Sequence, residues 1–480
     1  MFLHFIFVYV DTAMKKLTLE KLKSLYSTEN AFIITLNKIA YDKGKGFAKG
    51  DDGKTFWESM SKPLKTLNII NQSLHSYKFS PSSLYVKRIK FKTRKIYISN
   101  WQDKIVETFL SKSLNKALHH WYSTKSYAYR LDRIDINLCQ KHIVKTIKNS
   151  KYFIKLDIKD YFYTIDQDIL LEKMKEVIDE NDALFNILKD RIKFKYLTED
   201  GIKQSDLGIP FGSALACTFS NVYLTALDKE MEKLDVHYFR YADDIIITHE
   251  NPEAVLSAKD VILAELSKLK LTLNARKFQV LSFKEHEGFV KVTKIGHLGL
   301  EYTERGVIRL PIEKRRKIMN MFKRAINANK SKLKKAKTIE DKIILCSSII
   351  NDICKKRIRN AAIIDYYLKH IDDDQQLIDM DREIVEYMIG IILIKKFRQR
   401  DYKKVPYGKF REAGLVCLLH RSRLLRSNKI KLSFLSLFNS IVMERYMTTQ
   451  DKKKQRIDAL KLHNKTKKLN NILVPSPDQS

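Results

Sequence analysis

The sequence predicts a mixed α+β fold whose C-terminal part is mostly helical. Two strand-like runs, 237–241 and 245–248, flank a short acidic turn, which is the pattern of a β-hairpin. Beyond Pro311, apolar residues recur at the spacing of one helix face, and the chain becomes more basic. With 480 residues, 44% of them hydrophobic, the chain is long enough to bury a sizeable core. It is expected to form one large multi-lobed protein or two to three ordinary domains.

Local patterns predict the remaining elements. Residues 152–158 form a strand-like run that ends in an acidic and aromatic cluster, and residues 213–234 contain few helix breakers. Asp372 to Gln376 is a polar, acidic break and a candidate domain boundary. The other predicted elements are N-terminal helices over 15–80 interrupted at Gly44 to Gly53, a strand pair over 84–91 and 94–98, helices over 103–122 and 254–269, and a short strand over 295–302.

The net charge of +34 is the strongest feature of the composition. Such an excess repels itself unless a partner neutralises it, and nucleic acid or an anionic membrane surface is the usual partner. A genome rich in A and T also raises the Lys content without any function. The charge therefore favours a nucleic-acid partner but does not prove one.

The cysteines and the N-terminus concern the compartment in which the protein acts. The five cysteines are scattered, without CxxC pairs, which argues against a zinc site or a disulfide framework and predicts a reducing cytoplasm. The apolar run Phe2 to Val10 lacks a preceding basic region and is too short to span a bilayer, so no membrane association is predicted. It is either a mis-assigned extension ahead of a start at Met14 or, alternatively, a signal peptide.

Three aspartates form the candidate catalytic constellation. Nucleotidyl transfer with two divalent ions needs carboxylates that converge on ions about 3.5–4 Å apart, and Mg²⁺ prefers hard oxygen ligands. Asp243 and Asp244 on a hairpin turn, together with Asp157 at the end of a separate strand, can supply that geometry. An acidic pair is also common on solvated turns, so the surrounding motifs decide between the two interpretations.

Those motifs resemble the motifs of reverse transcriptases. Tyr241-Ala242-Asp243-Asp244 between apolar strands is similar to the Tyr-x-Asp-Asp box of that family, and the likeness extends from about residue 40 to 310. Some of the matching segments resemble the group II intron and bacterial enzymes in particular. The other matching segments are 155–162 (first catalytic motif), 208–213 with 220–224 (nucleotide-binding loop and following helix), 271–274 with Lys277, 297–300 (primer-grip hairpin), 94–98 with 103–106 (fingers strand and helix), and 126–130.

The resemblance implies a right-hand polymerase with fingers, a palm that carries the catalytic motifs, and a thumb. The implied bounds are 1–40 for an N-terminal extension or helix, 41–150 for the fingers, 151–305 for the palm, 306–371 for a helical thumb, 377–450 for a C-terminal helical region, and 451–480 for a basic, disordered tail.

The same resemblance implies the metal site. Asp157 and Asp243 are expected to be the principal metal ligands, with Asp244 adjoining and less directly involved. The backbone carbonyl of Ile158 is expected to complete one metal shell. The expected cofactor is a pair of Mg²⁺ ions, with Mn²⁺ as an alternative.

Four basic residues are candidates for contacts with the incoming nucleotide. Arg94, and one of Lys90 or Lys92, would reach the triphosphate, where cations offset charge that develops in the transition state. Lys277 is either the proton donor to the leaving pyrophosphate or a surface lysine.

Two aromatic residues are candidates for the nucleotide pocket. Phe162, five positions after Asp157, matches the aromatic that closes the sugar pocket against a 2′-hydroxyl; the other interpretation is a core aromatic. Phe211, beside Gly212 in the nucleotide-binding loop, stands where the family usually has Gln. Gln can hydrogen-bond near the nucleotide and template pair, whereas Phe can only stack or pack. Template reading is therefore expected to differ from that of most relatives.

The segments beyond residue 310 bear on the kind of reverse transcriptase. They contain no acidic constellation typical of ribonuclease H, no Cys/His endonuclease signature and no retron signature. The chain resembles the unclassified bacterial reverse transcriptases, many of which act in antiviral defence, often with a noncoding RNA. The implied partners are dNTPs, an RNA template in the form of a dedicated structured noncoding RNA, and the DNA product. Two alternatives stay open: a group II intron maturase-like enzyme, and a catalytically inactive RNA-binding protein, against which the three intact carboxylates argue.

Overall fold

The computed structural model describes residues 16–41, 52–59, 61–88, 94–130, 135–355 and 359–427. Helices and strands are mixed along these ranges, so the predicted α+β fold class is confirmed. The strands are β1 (Leu84–Arg88), β2 (Lys95–Ile98), β3 (Tyr152–Asp157), β4 (Lys195–Thr198), β5 (Gly201–Gln204), β6 (His237–Tyr241), β7 (Asp244–His249), β8 (Gln279–Ser282), β9 (Val290–Lys291), β10 (Lys294–His297), β11 (Leu300–Thr303) and β12 (Ile308–Arg309).

Helices lie before, between and after these strands in the chain. They are α1 (Leu19–Leu25), α2 (Thr28–Tyr41), α3 (Phe56–Ser59), α4 (Pro63–His75), α5 (Trp101–Ala117), α6 (Ile136–Ile147), α7 (Tyr161–Thr164), α8 (Gln167–Val177), α9 (Ala183–Ile192), α10 (Leu215–Glu232), α11 (Pro252–Lys268), α12 (Ile312–Ala328), α13 (Lys330–Lys335), α14 (Ile339–Lys355), α15 (Arg359–His370), α16 (Asp374–Ile392), α17 (Tyr407–Glu412) and α18 (Leu418–Arg426).

A five-stranded sheet, in the order β6-β7-β3-β8-β9, lies at the centre of the fold. Its neighbouring strands are antiparallel except β8 and β9, which are parallel. Successive side chains of a strand point to opposite faces, and both faces are buried here. In β3, Phe153 packs in one hydrophobic cluster and Ile154 in another, and β7 repeats this division with Ile246 and Ile247.

The two clusters divide the helices between the two faces of the sheet. The first cluster joins one face to apolar residues of α1, α2, α4, α5 and α8 to α11. The second joins the other face to α6, to the small sheet β10-β11-β12, and to helices from α12 through α18. Burying both faces explains why β3 and β7 are almost continuous runs of large apolar residues.

A separate four-stranded sheet, in the order β2-β1-β4-β5, lies beside the first catalytic motif. The parallel pairing of β1 with β4 joins two segments that are more than 100 positions apart in the chain. Leu84, Tyr97 and Phe194 form its small buried core, against which Tyr163 packs. This sheet supports the loop that contains Phe211, as described below.

The acidic segment 372–376 joins the elements on either side of it. The N–H of Ile308 donates to a carboxylate oxygen of Asp372 at 2.6 Å, and the N–H of Leu310 donates to the side-chain oxygen of Gln376 at 2.8 Å. Helices before and after this segment share one hydrophobic cluster. Among the described residues, this segment, whose last three residues begin α16, therefore lies within a common core, and the predicted division into fingers, palm and thumb stays a prediction.

Several predicted bounds shift in the structure. The single strand expected over 295–302 is wrong: β10 and β11 form a hairpin, because Leu298 and Gly299 both have positive φ and reverse the chain. The helix predicted from residue 103 begins at Trp101 and ends at Ala117, since Asn100 caps it by accepting from the N–H of Asp103. The N-terminal run, most of the glycine-rich stretch, residues 89–93 and everything after residue 427 lie outside the described residues.

In the part of the chain that the structure describes, no helix combines the length and the apolar character needed to cross a membrane.

Candidate active site

Asp243 and Asp244 lie at a two-residue hairpin turn between β6 and β7. The ladder of these strands ends with Tyr241 opposite Asp244, so that Ala242 and Asp243 form the turn. Ala242 is buried and has a φ of +60°, a left-handed conformation that a non-glycine residue adopts only when its surroundings impose it. The acidic turn is thus held by buried strands on both sides.

The register between β3 and β7 brings Asp157 to this turn. The Cα of Asp157 lies opposite that of Asp244, and the N–H of Ile158 donates to the carbonyl oxygen of Asp243 at 3.3 Å. On its other side, the carbonyl oxygen of Asp157 accepts from the N–H of Asn274 at 2.9 Å. The sheet therefore brings Asp157 and Asp243 together although 86 positions separate them (243 − 157).

The carboxylates at this junction repel each other. Burial raises the pKa of Asp243, and the negative charges of Asp157 and Asp244 raise it further. A cation bound between carboxylates removes such repulsion, because an opposite charge favours the ionised form. The electrostatics of the site therefore favour a bound cation.

The oxygen donors at this junction have the chemistry that a divalent ion requires. Asp157 and Asp243 offer the hard oxygen donors that Mg²⁺ and Mn²⁺ take, and the backbone of Ile158 adjoins them. Among the described residues, no three His, Cys, Asp or Glu side chains converge closely enough to hold a metal ion. Mg²⁺ usually completes its shell with water and substrate phosphates. The residues fit ions that bind together with a nucleotide, and the ligand assignment stays a prediction.

Lys277 reaches the same carboxylate. Its Nζ donates to Oδ2 of Asp157 at 2.7 Å, while the side-chain amide of Asn274 donates to Oδ1 at 3.3 Å. The Lys277 side chain is 56% exposed, so it can move without disturbing the core. Lys277 is thus placed at the mouth of the site, and its role as a proton donor stays a prediction.

Asp244 has a partner that the sequence did not indicate. His297, at the end of β10, is fully buried, and its Nδ1 lies 3.3 Å from Oδ1 of Asp244. Burial by itself raises the pKa of Asp244, but His297, Lys155 and Lys277 lower it, so the pKa lies below its usual value. Asp244 therefore faces a buried imidazole, and its expected lesser part in metal binding stays a prediction. His297 begins the segment 297–300 that resembles the primer-grip hairpin, but its contact with Asp244 depends on how the β10–β11 hairpin packs.

Phe162 and Phe211 form an aromatic pair near the first catalytic motif. Their ring centroids lie 5.2 Å apart, and both side chains are partly exposed. The carbonyl oxygen of Phe162 accepts from the N–H of Ile209 at 2.8 Å, which ties the loop to the end of that motif. The two residues that the sequence assigned separately to the sugar wall and the loop are therefore in contact.

The loop around Phe211 is pinned to β2. The N–H of Tyr97 donates to the carbonyl oxygen of Phe211 at 2.9 Å. Gly212 has a φ of +124°, and a Cβ there would lie 2.5 Å from the carbonyl oxygen of Tyr97, so only glycine allows this approach. Ser213 donates to the buried carboxylate of Glu107 at 2.8 Å and anchors the end of the loop. Gly212 thus lets the backbone of the loop pass close to β2.

The basic candidates are only partly described. Arg94 is exposed and directly precedes β2. Burial raises the pKa of Tyr163 and the charge of Arg94 opposes this shift, which indicates that Arg94 lies near Tyr163 at the first catalytic motif. Lys90 and Lys92 lie outside the described residues.

The chain has the fold of a right-hand polymerase. Its central sheet carries acidic residues at one end and packs against helices on both faces. Residues 86–302 match the family described as reverse transcriptase (RNA-dependent DNA polymerase). The chain therefore carries a reverse transcriptase domain, and this segment contains every described candidate residue of the site. The recognition of the family from its motifs is confirmed.

Proteins similar in sequence come from introns and from a retron. The chain is 26% identical over 215 residues to the "Uncharacterized 91 kDa protein in cob intron" of Schizosaccharomyces pombe, a match that covers 44% of this chain and 26% of that protein. It is 22% identical over 234 residues to the retron Ec73 reverse transcriptase of Escherichia coli, covering 45% of this chain and 69% of the relative. The matches span between about a fifth and a quarter of the length of these intron proteins.

Solved structures with a similar course of the chain include the apo telomerase of Candida tropicalis. That likeness has a TM-score of 0.41 at 14% identity and covers 80% of this chain and 73% of the telomerase.

Proposed function

We propose that this protein is an RNA-directed DNA polymerase that adds dNTPs to a 3′ end by nucleotidyl transfer with two Mg²⁺ ions. The observation that carries the proposal is the junction of Asp157 and Asp243 at the end of a buried sheet, within a reverse transcriptase domain. When bound, the two ions activate the attacking hydroxyl and neutralise charge on the transferred phosphoryl group. Asp157 and Asp243 hold and orient them.

The residues around the aspartates have complementary roles in this proposal. Lys277, whose Nζ is 2.7 Å from Asp157, donates a proton to the leaving pyrophosphate. Arg94 binds the triphosphate from the edge of β2. Phe162 forms the apolar wall against a 2′-hydroxyl and Phe211 supports it, since their rings are in contact. Together these residues select a deoxynucleotide and prepare it for attack.

The polymerase proposal is tested by primer extension. The purified chain is given a primed RNA template, the four dNTPs and Mg²⁺, and extension of the primer is measured on a denaturing gel. We expect template-dependent DNA synthesis that EDTA stops and that Asp243→Asn abolishes. An inactive wild-type chain on primed, self-primed and copurified RNA alike would overturn the proposal.

We further propose that the template is a dedicated, structured noncoding RNA and that the enzyme acts in antiviral defence. The support is the charge of +34 and the basic start of α12. Within 314–317, only Arg315 has an acidic partner among the described residues, Glu383, so the other cations are free for phosphate. Phosphate contacts give affinity but little sequence information.

The RNA proposal predicts a discrete partner. RNA that copurifies with the enzyme at increasing salt is sequenced, and cells that carry the gene with its flanking DNA are challenged with phage. We expect one RNA species encoded beside the gene, and loss of protection when that RNA or Asp243 is changed. A mixture of random lengths, or protection that persists without the neighbouring RNA, would contradict the dedicated partner and leave the polymerase proposal intact.

A maturase-like enzyme of an intron is the second candidate. It is favoured by the curated relatives, several of which are intron proteins of yeasts. An intron flanking the gene, and RNA splicing that depends on the protein, would establish this candidate in place of the defence role. A purely RNA-binding role is disfavoured, because such a role requires none of the three aspartates.

A further inference from the structure

Arg240, in β6, is a fully buried cation directly beside the catalytic turn. Neither its guanidinium nor the carboxylate of its partner Asp228 is exposed to solvent. Nε of Arg240 donates to Oδ1 of Asp228 at 2.7 Å, and Nη2 donates to Oδ2 at 2.5 Å, which is the bidentate geometry of a strong ion pair. This pair lies beside the catalytic turn but takes no part in the chemistry described above.

The guanidinium also binds the turn itself. Nη1 of Arg240 donates to the carbonyl oxygen of Ala242 at 3.1 Å. Ala242 is the turn residue with the left-handed φ of +60°, directly before Asp243. Because this conformation is strained for alanine, a donor fixed to its carbonyl helps to hold it. On the other side, the carboxylate of Asp228 in α10 accepts from the guanidinium and anchors it.

Two further side chains fix the plane of the guanidinium. Nη2 donates to Oγ of Ser126 at 2.8 Å, and Nη1 donates to the side-chain oxygen of Asn221 at 3.2 Å. Asn221 in turn donates to the carbonyl oxygen of Ala128 at 2.8 Å. The backbone N–H of Arg240 donates to the carbonyl oxygen of Lys125 at 3.0 Å. The segment 125–128 and helix α10 thus hold Arg240 from two directions.

A buried ion pair is not in itself a sufficient reason for this arrangement. The cost of removing two charges from water often equals their attraction, so apolar residues of similar size stabilise a core as well. A single point charge such as Lys would also suffice to pair with Asp228. The feature that needs a planar group with several donors is the simultaneous contact with Asp228, Ser126 and the carbonyl of Ala242.

We propose that Arg240 is a positioning residue, which holds the carbonyl of Ala242 so that the turn presents Asp243 to Asp157. This inference rests on the proposed polymerase function and adds to it the residue that sets the geometry of the turn. Asp228, Ser126 and Asn221 act on the turn through Arg240. The segments 126–130 and 220–224, which the sequence singled out as motifs, thereby contribute to the active site without touching substrate.

The test compares Arg240→Lys with the matched control Tyr238→Phe. Tyr238 lies on the same strand, is equally buried and donates its single hydroxyl proton to the same Asp228 at 2.8 Å, whereas the carbonyl of Ala242 accepts from Arg240. Arg240→Lys retains a cation next to Asp228 but loses the planar guanidinium, whose several donors reach Ser126 and the carbonyl of Ala242 at the same time. For both variants we measure thermal stability, template affinity, kcat and KM for dNTP, and the Mg²⁺ concentration at half-maximal rate.

We expect Arg240→Lys to lower kcat by about 100-fold, the scale for a small misplacement of reacting groups, with template affinity nearly unchanged. The half-maximal Mg²⁺ concentration should rise, because the two carboxylates no longer converge. Tyr238→Phe should keep both values near those of the wild type. Ser126→Ala removes one contact of the guanidinium, so its kcat and half-maximal Mg²⁺ concentration should lie between those of Arg240→Lys and Tyr238→Phe. It serves as the test if Arg240→Lys does not fold.

A readout that does not depend on catalysis separates this inference from the polymerase proposal. Binding of Mn²⁺ alone is followed by electron paramagnetic resonance, and amide exchange of the peptide 238–245 by mass spectrometry. Arg240→Lys should weaken Mn²⁺ binding and speed exchange at the turn, and Tyr238→Phe should do neither. Wild-type kcat, Mn²⁺ affinity and turn protection in Arg240→Lys would overturn the positioning role, whereas an inactive wild-type enzyme would overturn the polymerase proposal.

Discussion

Lys277 and Asp157 form an ion pair across the mouth of the active site, with Nζ 2.7 Å from Oδ2, although 120 positions separate them in the chain. The pair joins the turn after α11 to the end of β3. Its lysine is more than half exposed and its carboxylate mostly buried, so that the lysine is the mobile partner. A nucleotide and its metal ions would compete with Lys277 for Asp157 and free the ammonium for the phosphates.

Lys277→Met is expected to lower kcat by roughly 100-fold, the usual contribution of a positioned proton donor. The KM for dNTP should change much less, because the proton is needed in the transition state. Lys270→Met is the matched control, since Lys270 is also exposed and forms an ion pair of 2.7 Å with Asp166, away from the catalytic turn. Equal rates for both variants in single-turnover primer extension would return Lys277 to the role of a surface lysine.

Asp157→Ala, or Asp243→Ala together with Asp244→Ala, is expected to abolish DNA synthesis and leave the fold and RNA binding intact. Burial and the neighbouring carboxylates already disfavour the charge of Asp243, so its removal relieves repulsion. Thermal unfolding and RNA binding by filter retention are measured beside primer extension. Incorporation of dNTPs at the wild-type rate by the double variant would show that the metal assignment is wrong.

Phe162→Ala is expected to raise the ratio of rNTP to dNTP incorporation, because the apolar wall against the 2′-hydroxyl is lost. The side chain is only partly buried, so the loss of stability should be smaller than the roughly 3–5 kcal/mol of a core phenylalanine. Phe289→Ala is a suitable control: Phe289 is also partly buried against the same cluster but packs on Tyr152, at the other end of β3. An unchanged ratio would identify Phe162 as a core residue.

Phe211→Gln is expected to change misincorporation or template preference more than the rate with a matched nucleotide. Phe211 contacts Phe162 and Tyr163 through its ring, and only its backbone carbonyl is hydrogen-bonded to β2. A Gln side chain would add a hydrogen-bonding group without disturbing that backbone contact. The measurement is the error spectrum on a fixed template. Identical spectra for the variant and the wild type would make Phe211 a packing residue only.

Stability is expected to fall between about pH 6.5 and pH 4 through His370. Burial, and then the charge of Lys369, lower the pKa of His370 from 6.5 to about 4. As pH decreases, the unfolded chain therefore binds a proton at His370 before the folded chain does. The contribution of His370 to the free energy of unfolding is complete above its unfolded pKa. It is lost as pH falls towards the folded pKa, by at most about 3 kcal/mol. His370→Gln should flatten this decline in urea unfolding, whereas a change at the exposed His120 should not. If the free energy of unfolding fell equally with pH in the wild type and in both variants, His370 would not be the cause of the decline.

Much of the fold was predictable because its signals are local. The strand-like runs 237–241 and 245–248 flank a short acidic turn, and this pattern predicted the hairpin that carries Asp243. The lack of helix breakers predicted α10, and an amphipathic pattern predicted α11, each to within about two residues at each end. The single strand predicted over 295–302 failed, because Leu298 and Gly299 leave the strand conformation for the length of one turn.

The sequence by itself determined the family, the hairpin and the identity of the acidic residues, since these depend on motif spacing and on patterns of neighbouring residues. Only the tertiary structure decided which side chains meet: His297 with Asp244, Lys277 with Asp157, and Arg240 with Ser126. These pairs join residues that are 53 (297 − 244), 120 and 114 positions apart. Contacts at such separations follow from sheet register and helix packing, which no local pattern encodes.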